Sequence, residues 1–420
     1  MEAFLRRSLC DQACASPSHQ GIVRRTVSRS ATGDAQVNGR TVAPVHPSIV
    51  STVSNVHGDC GEMVDFVSDV RINLFGPLPP PIHGQSVVMS HLVERLAPHF
   101  PRMRVSDTAG GGDIRRLRPF PAIIRTIGSW WSLRSTDVVY VAVKADKGMW
   151  LTSATVLLAR LAGARLFLHH HSYAYVRTRQ FRMVALVRAA GPRAHHIVLS
   201  RVMARDLAGV MPEIRRIVVI GNASLVDRGM LELPLKSDQA SLVLGHLSNL
   251  SADKGISEAV SLAIDLRRAN VAVRLIIGGP LTDDEARRHV DRAARELGGS
   301  FEYRGPLGGD RKREFFNDIT HFVFPTRYVH EAVPLVIYEA LAAGVVCVAT
   351  KQGSIPEQLA DCPAVLAGHA TSFVDEVMPT LSVARVSLSA SRASRQAFLN
   401  ALSVSERQLA ELMALLGCRK

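Results

Sequence analysis

The stretch Phe324–Glu357, FPTRYVHEAVPLVIYEALAAGVVCVATKQGSIPE, decides the fold. It continues an apolar run, His321–Pro325, that reads as a strand buried on both faces. A polar loop follows. Leu335–Ala343 then has helical periodicity and is stopped by Gly344, after which Val345–Thr350 is a second apolar strand. Strand, loop, helix and strand in that order make one unit of a parallel sheet, and such units recur through most of the chain, so the fold class is α/β. Pro334 falls where the first helical residue is expected. The free amides of Leu335 and Val336 beside it then point outward at a helix start, a place that suits an anion.

Glu331 and Glu339 bracket this loop and helix with seven residues between them. On spacing alone they are two solvated glutamates. An anion held by the helix start gives them another use, because a carboxylate accepts hydrogen bonds from hydroxyls: Glu331 from a sugar, Glu339 from a ribose diol.

The neighbouring residues carry a resemblance. Pro325-Thr326, Glu331, Pro334-Leu335, Glu339-Ala340, Gly344, Thr350, Gly353 and Pro356-Glu357 stand where the bacterial group 1 family of retaining GT-B glycosyltransferases has its nucleotide-sugar site. The resemblance covers about Arg71 to Asp361 and is strongest in the second half. It implies two doubly wound, Rossmann-like domains facing a cleft, with ligands at the carboxyl ends of the strands. Where many members have Gly-Phe-Gly after the first glutamate, this chain has Ala332-Val333-Pro334, and a proline has no amide to offer a phosphate.

Other segments fit the same picture. Ser248-Asn249-Leu250 and Lys254-Gly255 resemble the family's Gly-Arg-Leu…Lys-Gly motif, with Asn249 replacing the arginine and leaving one fewer positive charge on a diphosphate. The strand Arg165–Leu168 ends in HHHSYAY, and alternation places His169 and His171 on one side and His170 on the other. A metal site there lacks supporting carboxylates or cysteines. In the family a histidine at this strand end faces the transferred sugar, and His171-Ser172 is the matching pair. GPLPPPIHGQS after the first strand resembles the family's Pro-rich first loop, with His83 and Gly84 at the meeting of acceptor and donor.

The resemblance therefore implies Glu331, His171 and Lys254 as catalytic residues. Asn249, Lys254, Glu331, Val333, Leu335, Val336 and Glu339 are implied as donor-binding, and His83 and Gly84 as an acceptor or phosphate loop. No Asp-x-Asp occurs in the sequence, so no metal and no other cofactor is expected.

A chain of 420 residues, 47% hydrophobic, can bury two cores. The expected division is a disordered leader, 1–69, an acceptor-side domain, 70–224, a linker, 225–240, and a donor-binding domain, 241–420, with terminal helices that cross back onto the first domain. Cys10, Cys14, Cys60, Cys347, Cys362 and Cys418 lack zinc or disulfide spacing and fit a reducing cytoplasm. No apolar run approaches the roughly 18 residues of a membrane span.

The net charge of +13 is lopsided: Val70–Ile220 holds 22 Lys or Arg against 7 Asp or Glu, and Gly221–Lys420 holds 22 against 23. The excess in the first half points to an anionic partner. The Trp130-Trp131 pair among Arg115, Arg116, Arg118, Arg125 and Arg134 reads either as an interfacial segment or as a core helix with solvated arginines.

The expected function is metal-independent transfer, with retention, of a sugar from a nucleotide-diphosphate sugar to a polysaccharide or lipid-linked saccharide. The protein is expected in the cytoplasm, peripheral on the inner membrane face. The alternatives are a nucleotide-sugar epimerase of the same architecture and a non-enzymatic protein binding nucleic acid or an anionic surface. Against nucleic acid, the chain has no recognisable reading motif.

Overall fold

The computed structural model describes residues 69–80, 84–109, 133–135, 137–237, 241–369 and 372–418. His83, the leader up to residue 68, the glycines at 110–112 and the Trp130-Trp131 pair with Arg115 to Arg125 lie outside the described residues.

The first half alternates β1 (Ile72–Gly76), α1 (Gly84–Leu96), β2 (Arg104–Asp107), β3 (Val138–Val143), α2 (Gly148–Leu161), β4 (Arg165–His170), α3 (Phe181–Ala190), β5 (His195–Val198), α4 (Arg201–Val210) and β6 (Ile217–Val219). These six strands form one parallel sheet in the order β2-β1-β3-β4-β5-β6. Period-two alternation divides its strands between two cores. In β3, Val139, Val141 and Val143 pack on one face with Leu168 and Met203, whereas Val138, Tyr140 and Ala142 pack on the other with Ile72 and Leu412.

Several boundaries have local causes. β5 stops at Val198 because Ser200, itself buried, caps α4, its hydroxyl accepting from the Met203 amide at 3.0 Å. Asp137 stays outside β3, where its buried carboxylate takes two guanidinium N–H groups of Arg71, both at 2.8 Å, and the Asn73 amide at 2.9 Å.

The second half holds β7 (Leu242–Leu247), α5 (Ile256–Arg268), β8 (Val273–Gly278), α6 (Asp284–Leu297), β9 (Phe301–Tyr303), α7 (Gly309–Asp318), β10 (His321–Phe324), α8 (Leu335–Ala342), β11 (Val346–Thr350), α9 (Ile355–Gln358), β12 (Ala364–Ala367), α10 (Phe373–Leu381) and α11 (Leu388–Gly417). Its six strands form a second parallel sheet, ordered β12-β11-β10-β7-β8-β9. The long α11 returns to the first sheet. Leu409, Leu412 and Leu416 enter the core that holds Ile72, Leu74 and Tyr140, and Gln408 accepts the Gly221 amide at 2.8 Å. Between the sheets the chain makes two short 3-10 turns, Ala223–Leu225 and Arg228–Glu232. No helix among the described residues is long and apolar enough to cross a membrane.

Candidate functional site

The loop between β10 and α8 is fixed by its neighbours. Thr350 donates its hydroxyl to the Thr326 carbonyl at 2.5 Å, and Gln352 donates its amide to the Tyr328 carbonyl at 2.9 Å. Two glycines make the packing possible. Gly255 has φ +81°, and a Cβ there would lie 2.4 Å from the Pro325 carbonyl oxygen; Gly353 has φ +55°, and its Cβ would lie 2.3 Å from the carbonyl oxygen of Glu331. The turn carrying Lys254 and the turn after β11 are thus both pressed against the loop that carries Glu331.

Lys254 and Glu331 meet directly, Nζ to Oε2 at 2.5 Å, with side chains 18% and 12% exposed. The ammonium also lies 4.3 Å from the centroid of the Tyr328 ring. Burial, and then the Glu331 charge, raises the Tyr328 phenol above its ordinary range. Glu339, 10% exposed on α8, receives Lys312 Nζ at 2.9 Å. Pro334 proves to be the residue before α8 rather than its first: with ψ 125° it is extended, so Leu335 and Val336 open the helix and their amides have no partner within it. Val333 is buried, and its carbonyl accepts from Asn222 Nδ2 at 2.9 Å. Asn249 is exposed in the turn after β7.

The first half meets this loop at several points. Ser172 Oγ lies 2.8 Å from His330 Nδ1, the Tyr173 amide donates to the His330 carbonyl at 3.3 Å, and Ala332 and Val333 join the apolar cluster of the first sheet. Glu357 caps α4 from across the seam, accepting the Arg201 amide at 3.0 Å and the Val202 amide at 2.8 Å, while Ser200 and Ser354 share a hydrogen bond of 2.7 Å. His171, next to Ser172 in the chain, has its ring centroid 3.9 Å from that of His169. His169 and His170 are buried, and burial together with neighbouring imidazoles holds both well below the ordinary histidine range. At the first loop, a Cβ on exposed Gly84 would meet nothing within 4 Å, so no protein contact demands a glycine there.

Two features have no counterpart in the sequence reading. His246, buried at the end of β7, lies 2.9 Å from the Val323 carbonyl through Nδ1 and 3.0 Å from Ser248 Oγ through Nε2. A carbonyl only accepts, so Nδ1 carries the proton and Nε2 takes the Ser248 hydroxyl; burial lowers this imidazole to about 4, keeping it neutral. Its alternation with Leu244 marks it as inward-facing, but not as a support for the Ser248 turn. A cavity of about 300 Å³, lined by Tyr173, Ala174, Arg177, Arg327, Val329, Gln352 and His369, also opens at the seam. None of the implied site residues lines it. It sits beside them, since Tyr173 follows His171 by two residues and Val329 precedes Glu331 by two.

Residues 241–382 match the family model described as glycosyl transferases group 1. No curated protein matches the sequence. Among solved structures, sucrose-phosphate synthase from Thermosynechococcus elongatus is similar at TM-score 0.61 and 15% identity, over 82% of this chain and 98% of that one. HepE of Anabaena, in complex with UDP-glucose, is similar at 0.58 and 15%, over 82% and 100%. Trehalose-6-phosphate synthase OtsA is similar at 0.58 and 10%, over 82% and 98%. At such identities the likeness is one of fold, and that fold is GT-B.

Proposed function

We propose that this chain, whose residues 241–382 match the family model of the group 1 glycosyl transferases, moves a sugar from a nucleotide-diphosphate sugar to a saccharide or lipid-linked saccharide acceptor, with retention and without a metal. The observation that carries the reading is the Lys254–Glu331 pair at 2.5 Å, in the loop that leads into a helix whose Leu335 and Val336 amides have no partner within it. A cation and a helix start together suit a diphosphate, and an adjoining carboxylate suits the hydroxyls of the sugar it carries. The structures of HepE with UDP-glucose, with UDP, and with UDP and glucose support a donor of that class.

In this reading the bond from the anomeric carbon to the diphosphate breaks and charge builds on the leaving oxygens. Lys254 and the Leu335 and Val336 amides face that charge, and Glu339 accepts the ribose hydroxyls. Glu331 and His171 orient the sugar. The acceptor oxygen bonds to the anomeric carbon from the same side, and its proton passes to the departing diphosphate. The excess of 22 basic over 7 acidic residues in Val70–Ile220 favours a peripheral position on an anionic leaflet, near a lipid-linked acceptor.

A thermal-shift panel of UDP-glucose and other nucleotide-sugars tests the donor class, since a ligand at 100 times its dissociation constant adds about 2.7 kcal/mol of stability. NMR of the product then reads the anomeric configuration. Retention is expected; inversion, or epimerised donor formed without any acceptor, overturns the reading.

A further inference from the structure

Helix α2 is amphipathic in the unexpected sense. Its buried face is Met149, Thr152, Ser153, Thr155, Val156 and Ala159, and the three hydroxyls return to the carbonyls four residues earlier at 2.9 to 3.3 Å. Its outer face carries the larger apolar side chains. Trp150 is 48% exposed, Leu161 73%, and Leu157 and Leu158 lie between them. Positions i, i+7, i+8 and i+11 form one stripe about 16 Å long. On the adjacent α3, Phe181 is 67% exposed and stands 5.8 Å from the Trp150 ring, extending the stripe sideways. A stripe of this kind on a water-facing surface marks an interaction face.

Its charge identifies the partner. The 59 residues from Lys147 to Arg205, which include both helices, contain ten Lys or Arg and no Asp or Glu. Arg179 is paired with Glu213, and Arg160 donates to the last carbonyls of α3, but exposed Arg188 and Arg193 are in salt-bridge contact with no carboxylate among the described residues. A second copy of the chain packed on this face would set arginines against arginines. Apolar side chains with a Trp–Phe pair, with the Arg182 guanidinium 5.3 Å from the Phe181 ring centroid and Arg160 and Arg188 on the same two helices, match the boundary of an anionic bilayer, where aromatics sit at headgroup depth and arginines meet phosphates.

We infer that the outer face of α2 and α3, centred on Trp150, Leu161 and Phe181, docks the protein on an anionic lipid surface. This rests on the peripheral location read above and supplies the surface that makes it. Apolar contact and charge act together, so neither alone holds the chain.

The test is co-sedimentation of the full chain with vesicles of phosphatidylcholine alone and of phosphatidylcholine mixed with phosphatidylglycerol. Binding is expected to the mixed vesicles only, and to weaken with salt. The triple variant Trp150→Ser/Leu161→Ser/Phe181→Ser should melt as the parent does, since it removes only exposed side chains, and should lose at least about tenfold in vesicle affinity. Arg188→Glu/Arg193→Glu should lose binding to mixed vesicles by a similar factor. Parent-like vesicle binding by the triple variant overturns the inference. So does a parent chain that binds no vesicle, including the case where the triple variant melts lower because the stripe is covered within the chain or by a protein. Nucleotide-sugar binding in solution, measured in parallel, is expected to be unchanged in both variants; its absence from the parent strikes the enzymatic reading and leaves this one standing.

Discussion

The pairing of Lys254 with Glu331 makes the two residues answerable to each other, and a double-mutant cycle reads that dependence. Lys254→Met keeps a flexible stem over the Tyr328 ring while removing the charge; Glu331→Gln keeps the shape of its partner. At an effective dielectric near 20, unit charges about 4 Å apart attract by about 4 kcal/mol. Side chains only 18% and 12% exposed retain much of that, less the cost of desolvating them. Lys254→Met leaves the Glu331 carboxylate without its cation, the nearest remaining donor being Thr326 Oγ1 at 3.5 Å, so a loss of about 2 kcal/mol is expected, with a fall of several degrees in Tm. Adding Glu331→Gln removes the stranded charge and should restore about 1 kcal/mol of it. In turnover the order differs. Each single variant should lose about 2–4 kcal/mol of transition-state stabilisation, but Glu331→Gln also frees Lys254 for the diphosphate, so its donor Kd should stay level or tighten while that of Lys254→Met weakens. Calorimetric melting, donor titration and single-turnover rates measure all three. Stability losses that add within about 0.5 kcal/mol would refute the coupling, and near-parental turnover in Lys254→Met would remove it from the donor site.

Glu357→Gln should lower Tm and raise the donor KM, because the neutral amide takes the Arg201 and Val202 amides less strongly than the carboxylate that now holds them at 3.0 and 2.8 Å, at a cost of about 1–2 kcal/mol; unchanged melting would show that the cap across the seam contributes nothing. Acid should unfold the protein early. Burial lowers His246 and His321 to about 4 and His196 to about 3, against about 6.5 in the unfolded chain, so below pH 6.5 the unfolded state takes protons the fold refuses, at about 2 kcal/mol each by pH 5. A circular-dichroism titration flat down to pH 4.5 would contradict this. Transfer activity should survive excess EDTA, and a loss restored by magnesium or manganese would argue for a different use of the carboxylates.

What the sequence disclosed, and what it withheld, follows from the reach of each signal. β10, α8 and β11 were legible because strands buried on both faces read as unbroken apolar runs, and because Gly344 can stop a helix where φ is +71°. Position alone could not place Pro334. Whether it opens the helix or precedes it depends on its ψ, which the fold sets. Lys254 and Glu331 lie 77 residues apart, and only the resemblance joined them to one site; that they would hold each other is a property of the turn at Gly255 packing on Pro325. Glu357 entered the sequence reading only through the resemblance, since nothing along the chain reveals that it caps a helix 155 residues earlier. In α2 periodicity does not fix the orientation of the helix, because a stripe of Met149, Val156 and Ala159 and a stripe of Trp150, Leu157 and Leu161 are both apolar, and only packing decides which one meets the sheet.

The seam has a consequence for how the site is assembled. The first half grips the loop between β10 and α8 chiefly by its backbone and its non-acidic neighbours: Asn222 holds the Val333 carbonyl, Ser172 and Tyr173 hold His330, and Ala332 and Val333 are sunk in the apolar cluster of the first sheet. The carboxylate of Glu331 lies between these anchors, yet its own bond is to Lys254 of the second half. A movement that parts the two sheets must break the anchors on either side of Glu331 while leaving the ion pair intact. The acidic group and its cation therefore both belong to the second half, while the first half fixes the course of residues 330–334. Hydrogen bonds to a backbone set geometry without consuming side chains, so the course of the loop is fixed while Glu331 and Glu339 stay engaged by Lys254 and Lys312 and the Leu335 and Val336 amides have no partner within their helix.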